Sequence, residues 1–158
     1  MELTLDQALQ KGIEAHKSGQ VQEADRYYTA ILKAQPEHPD ANHNMGLLAV
    51  GVGKIKEAIP FLKTAIKVNP KIAQFWLSYI DALIKLDRIN DAKTVFDQAK
   101  SNGVHGEEFN EIEKRIGLFM RGAKPTAVLD PQSQDPPQDK LQSLIKLYTQ
   151  GQFQQTLD

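Results

Sequence analysis

The 158-residue chain contains no cysteine. That absence excludes disulfides, thiolate nucleophiles and thiolate metal sites together, and it suits a reducing compartment. Nowhere does an apolar run reach the roughly eighteen residues of a membrane-spanning helix. The start, Met1-Glu2-Leu3-Thr4-Leu5-Asp6, has neither a basic run nor a continuous apolar stretch, so it does not read as a secretory signal. Neither sign of charge dominates: 19 Lys and Arg stand against 20 Asp and Glu, for a net charge of −1. Such a balance gives no electrostatic reason to expect nucleic acid or an anionic membrane as partner. The cytoplasm is the expected location. With 41% hydrophobic and 25% charged residues, the chain suffices for one ordinary domain or a short repeat array.

What is present is a period. Ala24, Ala58 and Ala92 are evenly spaced, and the same step separates Tyr28, Leu62 and Phe96, and then Ile31, Ala65 and Ala99. Gly19, Gly53 and Asp87 precede each alanine by five positions, and Pro36 and Pro70 close the first two units, with Val104 in that place in the third. A fixed period between about 20 and 50 residues is the mark of a stacked repeat. Each unit reads as two helices. In the second unit Asp40 is placed to cap a helix through Asn42, Met45 and Ala49, and Gly51-Val52-Gly53 breaks it. A second helix follows through Ala58, Phe61, Leu62, Ala65 and Ile66, with the spacing of an amphipathic stripe. Pro60 is expected in its first turns, where a missing N–H costs little. Asn69-Pro70 ends it. Gly12 and Gly46, facing Ala24 and Ala58, let the two helix axes approach closely.

These residues resemble the tetratricopeptide repeat, strongly over 5–38 and 39–72 and well over 73–106, with Trp76 as the family's tryptophan. Ile80 stands where Gly12 and Gly46 stand, so a different packing angle is expected in the third hairpin. The resemblance, closest to the N-terminal repeat region of bacterial members, implies an all-α fold, a right-handed superhelix of antiparallel helix hairpins. Residues 107–120 read as one more helix, with Phe109, Ile112, Ile116 and Phe119 on one side, capping the array. Residues 121–138, with Pro125, Pro131, Pro136 and Pro137 among Gln, Asp and Ser, read as a linker. Residues 139–158 read as an incomplete further repeat. A lone helix of about twelve residues is marginal in water, so Asp158 is expected to be the edge of a fragment.

Little in the sequence suggests chemistry. Gly51-Val52-Gly53-Lys54 is followed by Ile55, where a phosphate loop needs Ser or Thr, and it joins two helices. His16, His38, His43 and His105 lack ligand spacing; His38 and His105 are expected to face solvent and His43 the groove. No serine sits on a nucleophile turn. Acids such as Glu107, Glu108, Asp87 and Asp91 fall on turns or helix starts, where they suit the helix dipole. Trp76 and Tyr79 read as core, while Phe75 could serve core or binding equally. No enzyme activity, metal or cofactor is expected.

In the family the first helix of each hairpin lines a concave face that holds extended peptides or short helices. Carried over by position, the lining is Leu9, Ile13 and His16, then His43, Asn44, Leu47 and Val50, then Leu77, Asp81 and Ile84. Leu9, Ile13 and His16 lie at i, i+4 and i+7, one helix face. One subclass, the chaperone-tail binders, grips a terminal carboxylate with Lys, Asn, Asn, Lys and Arg. The matching positions are Leu9, Ile13, Asn44, Gln74 and Ser78. Only Asn44 fits, and without cations bidentate carboxylate recognition is lost. The lining is apolar around a few polar handles, which points to an apolar or amphipathic protein segment as partner. Two rival readings are the substrate-recognition arm of a larger glycosyltransferase- or sulfotransferase-type enzyme, and a homo-oligomer formed through exposed helix ends.

Overall fold

A computed structural model describes residues 2–122, in which seven helices follow one another: α1 (Leu5–Lys17), α2 (Val21–Ala34), α3 (Pro39–Gly51), α4 (Ile55–Val68), α5 (Ala73–Lys85), α6 (Ile89–Ser101) and α7 (Glu107–Met120). All but the first two residues of the expected linker at 121–138, and the incomplete repeat at 139–158, lie outside the described residues. The helices pair as α1/α2, α3/α4 and α5/α6, and α7 packs on α6 and α5. No strand occurs among the described residues.

Four tight turns keep this order in register. Gly19, Gly53 and Gly103 take φ values of 74°, 82° and 81°, and Asp87 takes 58°. In each turn the next N–H reaches back to a carbonyl of the helix just ended: Gln20 to Ala15 (2.8 Å), Lys54 to Ala49 (2.8 Å), Arg88 to Leu83 (2.9 Å) and Val104 to Ala99 (3.1 Å). This is the helix-ending motif that a left-handed residue makes possible. Asp87 takes the glycine's place at some steric cost.

The glycines of α1 and α3 press on larger partners than the sequence suggests. A Cβ on Gly12 would lie 2.6 Å from Cε1 of Tyr28, and one on Gly46 would lie 2.6 Å from Cδ2 of Leu62. Tyr28 and Leu62 are both wholly buried, so neither can swing away. In the third hairpin Ile80 is itself wholly buried. The partner-column residue there, Phe96, lies 5.7 Å, ring to ring, from Phe109 of α7.

Successive hairpins are stapled by a repeated bond. Trp76 Nε1 donates to the Pro70 carbonyl at 2.8 Å. One period earlier Asn42 Nδ2 donates to the Pro36 carbonyl at 2.9 Å and to the His38 carbonyl at 2.9 Å. A ring and an amide thus satisfy the same kind of inter-hairpin carbonyl.

Three local expectations change. The cap of α3 is His38, whose Nδ1 accepts from the Ala41 N–H at 3.2 Å, with Pro39 as the first helical residue and Asp40 inside the first turn. His38 is therefore half-buried and engaged, not simply solvent-facing. Pro60 lies inside α4, beyond its first turn, where its absent N–H leaves the Lys56 carbonyl without the usual helical donor. Phe75 is wholly buried and belongs to the interior.

Apolar burial runs along the stack in two large clusters, one from α1 to α3 and one from α4 to α7, with a small third cluster of Ala65 and Phe75. The side of α7 that carries Asn110, Glu113 and Lys114 is exposed. A polar outer face of that kind is what the end of a stacked array needs for solubility.

Two substitutions test the turn and the close contact. Gly46→Ala is expected to lower stability by about 1–3 kcal/mol through overpacking, and Asp87→Gly to raise it by up to about 1 kcal/mol through relief of the left-handed backbone. Urea denaturation of the two variants reads both signs. A Gly46→Ala protein as stable as the parent would contradict the contact with Leu62.

Candidate functional site

The first helices of the hairpins lie side by side: α3 touches α1 on one flank and α5 on the other, and α5 touches α7. Of the ten residues expected to line a groove, Leu9, His43, Asn44, Leu77 and Ile84 are buried, while Ile13, His16, Leu47, Val50 and Asp81 stay partly accessible. Because α3 is flanked on both sides, its residues facing α1 and α5 lose water that a lone hairpin would keep.

His43 is wholly buried. Its Nε2 lies 2.7 Å from Ser78 Oγ, and its ring lies 4.6 Å from that of Phe75 at 34°. Burial pushes its pKa down to about 3. The distance to Ser78 is that of a nucleophile and its base, but the chemistry is not. A useful general base is poised near neutral pH, and this imidazole has little affinity for a proton there. His43 ties α3 to α5. His16 behaves alike at the other end: burial lowers it to about 4, and its Nδ1 sits 3.5 Å from the Tyr28 hydroxyl.

Asn44 is 1% exposed, and its Nδ2 has no hydrogen-bond partner among the described residues. A buried donor left unmade costs about 1–3 kcal/mol. Asp81, in contrast, is held by Lys85 Nζ at 2.7 Å and by Arg115 of α7 at 3.5 Å. Among the described residues no group of three metal-ligating side chains converges. No described helix is long and apolar enough to cross a membrane.

The tie of Ser78 to His43 and the places of Arg115 and Leu118 were not foreseen from the sequence. The signal for the last two was the period itself: Arg115 follows Asp81, and Leu118 follows Ile84, by one full step of the repeat. By position the columns continue onto α7, where Leu118 is 43% exposed.

The tetratricopeptide-repeat family model matches residues 49–109, the segment from the end of α3 to the start of α7. The fold is a tetratricopeptide-repeat (TPR) solenoid. The yeast Sti1 TPR2B domain in complex with pHsp70 superposes with a TM-score of 0.66 at 20% identity, covering 73% of this chain and 97% of that one. The first TPR domain of RPAP3, bound to the HSP90 peptide SRMEEVD, gives 0.64 at 22% identity, covering 72% and 90%. An O-GlcNAc transferase mutant from Thermobaculum terrenum gives 0.56 at 23% identity, covering 63% of this chain but 20% of that one. No curated protein sequence matches this chain.

His43, wholly buried, and His16, half-buried, are expected to make the TPR stack sensitive to acid. Each is held neutral when folded and has an ordinary value of 6.5, so below that pH the unfolded chain binds more protons. Their stability contribution is fully present above about pH 6.5 and is lost progressively as pH falls toward 4 and 3. The slope is expected to approach roughly 1 kcal/mol per pH unit for each. Thermal melts between pH 7 and 5, where carboxylates barely titrate, should show a falling midpoint, with a shallower fall in His43→Gln. A flat midpoint in the parent protein would contradict the burial.

Proposed function

We propose that the concave face is a protein-interaction groove for a peptide segment. The segment's apolar side chains rest on Ile13, Leu47, Val50 and Leu118, and a backbone carbonyl accepts from Asn44. The observation that carries this reading is the Asn44 amide, a buried donor with its hydrogen bond unmade among the described residues, in the floor between half-buried apolar positions on α1 and α3. A peptide carbonyl is the acceptor that such a donor lacks, and the apolar columns supply side-chain affinity. The peptide complexes of Sti1 and RPAP3 support binding of a peptide by this kind of scaffold. The absence of clamp cations at Leu9, Ile13, Gln74 and Ser78 argues for an apolar or amphipathic ligand in place of a carboxylate-terminated one.

The test begins with peptides selected from a random display library on the immobilised full chain, followed by calorimetry with variants. Leu47→Asp should lower affinity at least tenfold, with unchanged helicity by circular dichroism. Asn44→Leu should move two quantities in opposite directions: stability rises by about 1–3 kcal/mol as the unpaired donor is removed, while affinity falls. Full affinity in both variants would remove the concave groove as the site.

A further inference from the structure

On α5, Ser78 and Asp81 reach toward α3 and α7, whereas Trp76 and Tyr79 occupy the opposite side of the helix. There they floor a second groove, of about 700 Å³, whose walls are α4 and α6. That volume lies in the range of ordinary ligand sites. The α4 wall presents Lys63 and Lys67, with Ile66 and Pro70 between and below them; the α6 wall presents Arg88, Asp91, Thr94, Val95 and Gln98.

The charge of this groove is lopsided in a chain whose total is nearly balanced. Three cations face one acid, and that acid, Asp91, is already taken by Arg88 at 2.7 Å. Lys63 has no ion pair among the described residues, and Lys67 meets only Glu37, at 3.6 Å, in a contact where both side chains are more than two-thirds exposed. Such an exposed pair contributes little. Lys63 and Lys67 also sit four positions apart on one helix face, an arrangement that is unfavourable until an anion lies between them. Beneath the charges the floor is apolar and aromatic. The indole N–H is satisfied by Pro70, and burial raises the Tyr79 pKa so that its hydroxyl stays protonated.

We propose that the α4/α6 groove docks an acidic peptide segment of a partner protein, with carboxylates against Lys63 and Lys67 and an adjacent apolar side chain over Trp76 and Tyr79. Charge complementarity selects this occupant: two lysines with little compensation border an apolar floor, on the side of α5 turned away from the concave groove. The protein would then hold two segments on two faces, one apolar and one acidic.

Trp76 is the only tryptophan of the chain, so its fluorescence reports on this groove alone. The probes are a fluorescein-labelled decapeptide alternating Asp with Leu and Pro, and its Asn-for-Asp counterpart, each titrated into the full chain. The acidic peptide should bind, shift the Trp76 emission, and weaken at least tenfold between 50 and 200 mM salt, roughly as several neutralised charges require. The neutral peptide should bind at least tenfold more weakly. The exposed double substitution Lys63→Glu and Lys67→Glu should abolish binding, whereas Leu47→Asp on the concave face should leave it unchanged. Binding that survives the double substitution, or that Leu47→Asp removes, would overturn the proposal. So would a chain that binds the peptide only after Asp130, Asp135 and Asp139 are changed to Asn, because the groove would then belong to the chain's own C-terminal segment.

Discussion

The architecture depends on how closely each pair of helices can approach. Gly12 against Tyr28 and Gly46 against Leu62 leave no room for a methyl group, and that proximity fixes where every other side chain points. The left-handed turn residue that follows each first helix serves the same end, because it reverses the chain within a few residues. Once two hairpins have this geometry, their first helices fall side by side and build one continuous surface. Neither groove could exist on a single hairpin. The concave one needs α1, α3 and α5 in a row, and the other needs two second helices flanking one first helix.

Much of the fold was legible because a period is a strong signal. The helix starts at Leu5, Pro39, Ala73 and Glu107 are spaced by the same step as the alanine and glycine columns. Local chemistry was less legible. Asp40 is a good cap by composition, yet His38 caps α3 because Pro39 already fixes the first helical position. Pro60 sits deeper in α4 than a cost-free place would allow. Tyr28 and Leu62 proved to be the tightest partners of the glycines, with the Ala58 carbonyl 3.5 Å from a Cβ on Gly46 as well, since a large buried side chain reaches across farther than a methyl group.

The site was legible as a set of positions but not as a set of roles. Column arithmetic can say that His43, Asn44 and Leu77 share a helix face with Leu47. It cannot say that flanking helices bury the first three and leave the fourth half-open, because burial depends on neighbours a full period away in the chain. The tie between His43 and Ser78 was invisible for the same reason. Arg115 and Leu118 could have been read from the period had the columns been extended onto the last helix. The groove between α4 and α6 left a trace in the sequence only as lysines at 63 and 67, which look like solvated surface until the opposite wall is known.

Function in this arrangement follows from what is left unsatisfied. His43 and Ser78 tie α3 to α5, and Asn44, next to His43 in the chain, keeps a buried donor unmade among the described residues. The most direct measurement is nuclear magnetic resonance of the Asn44 side-chain amide during titration with a library-selected peptide. The account predicts a downfield shift of an amide proton and slower solvent exchange at saturation, as the donor gains its acceptor. An Asn44 amide that keeps its free-state resonances while the peptide is fully bound would contradict it.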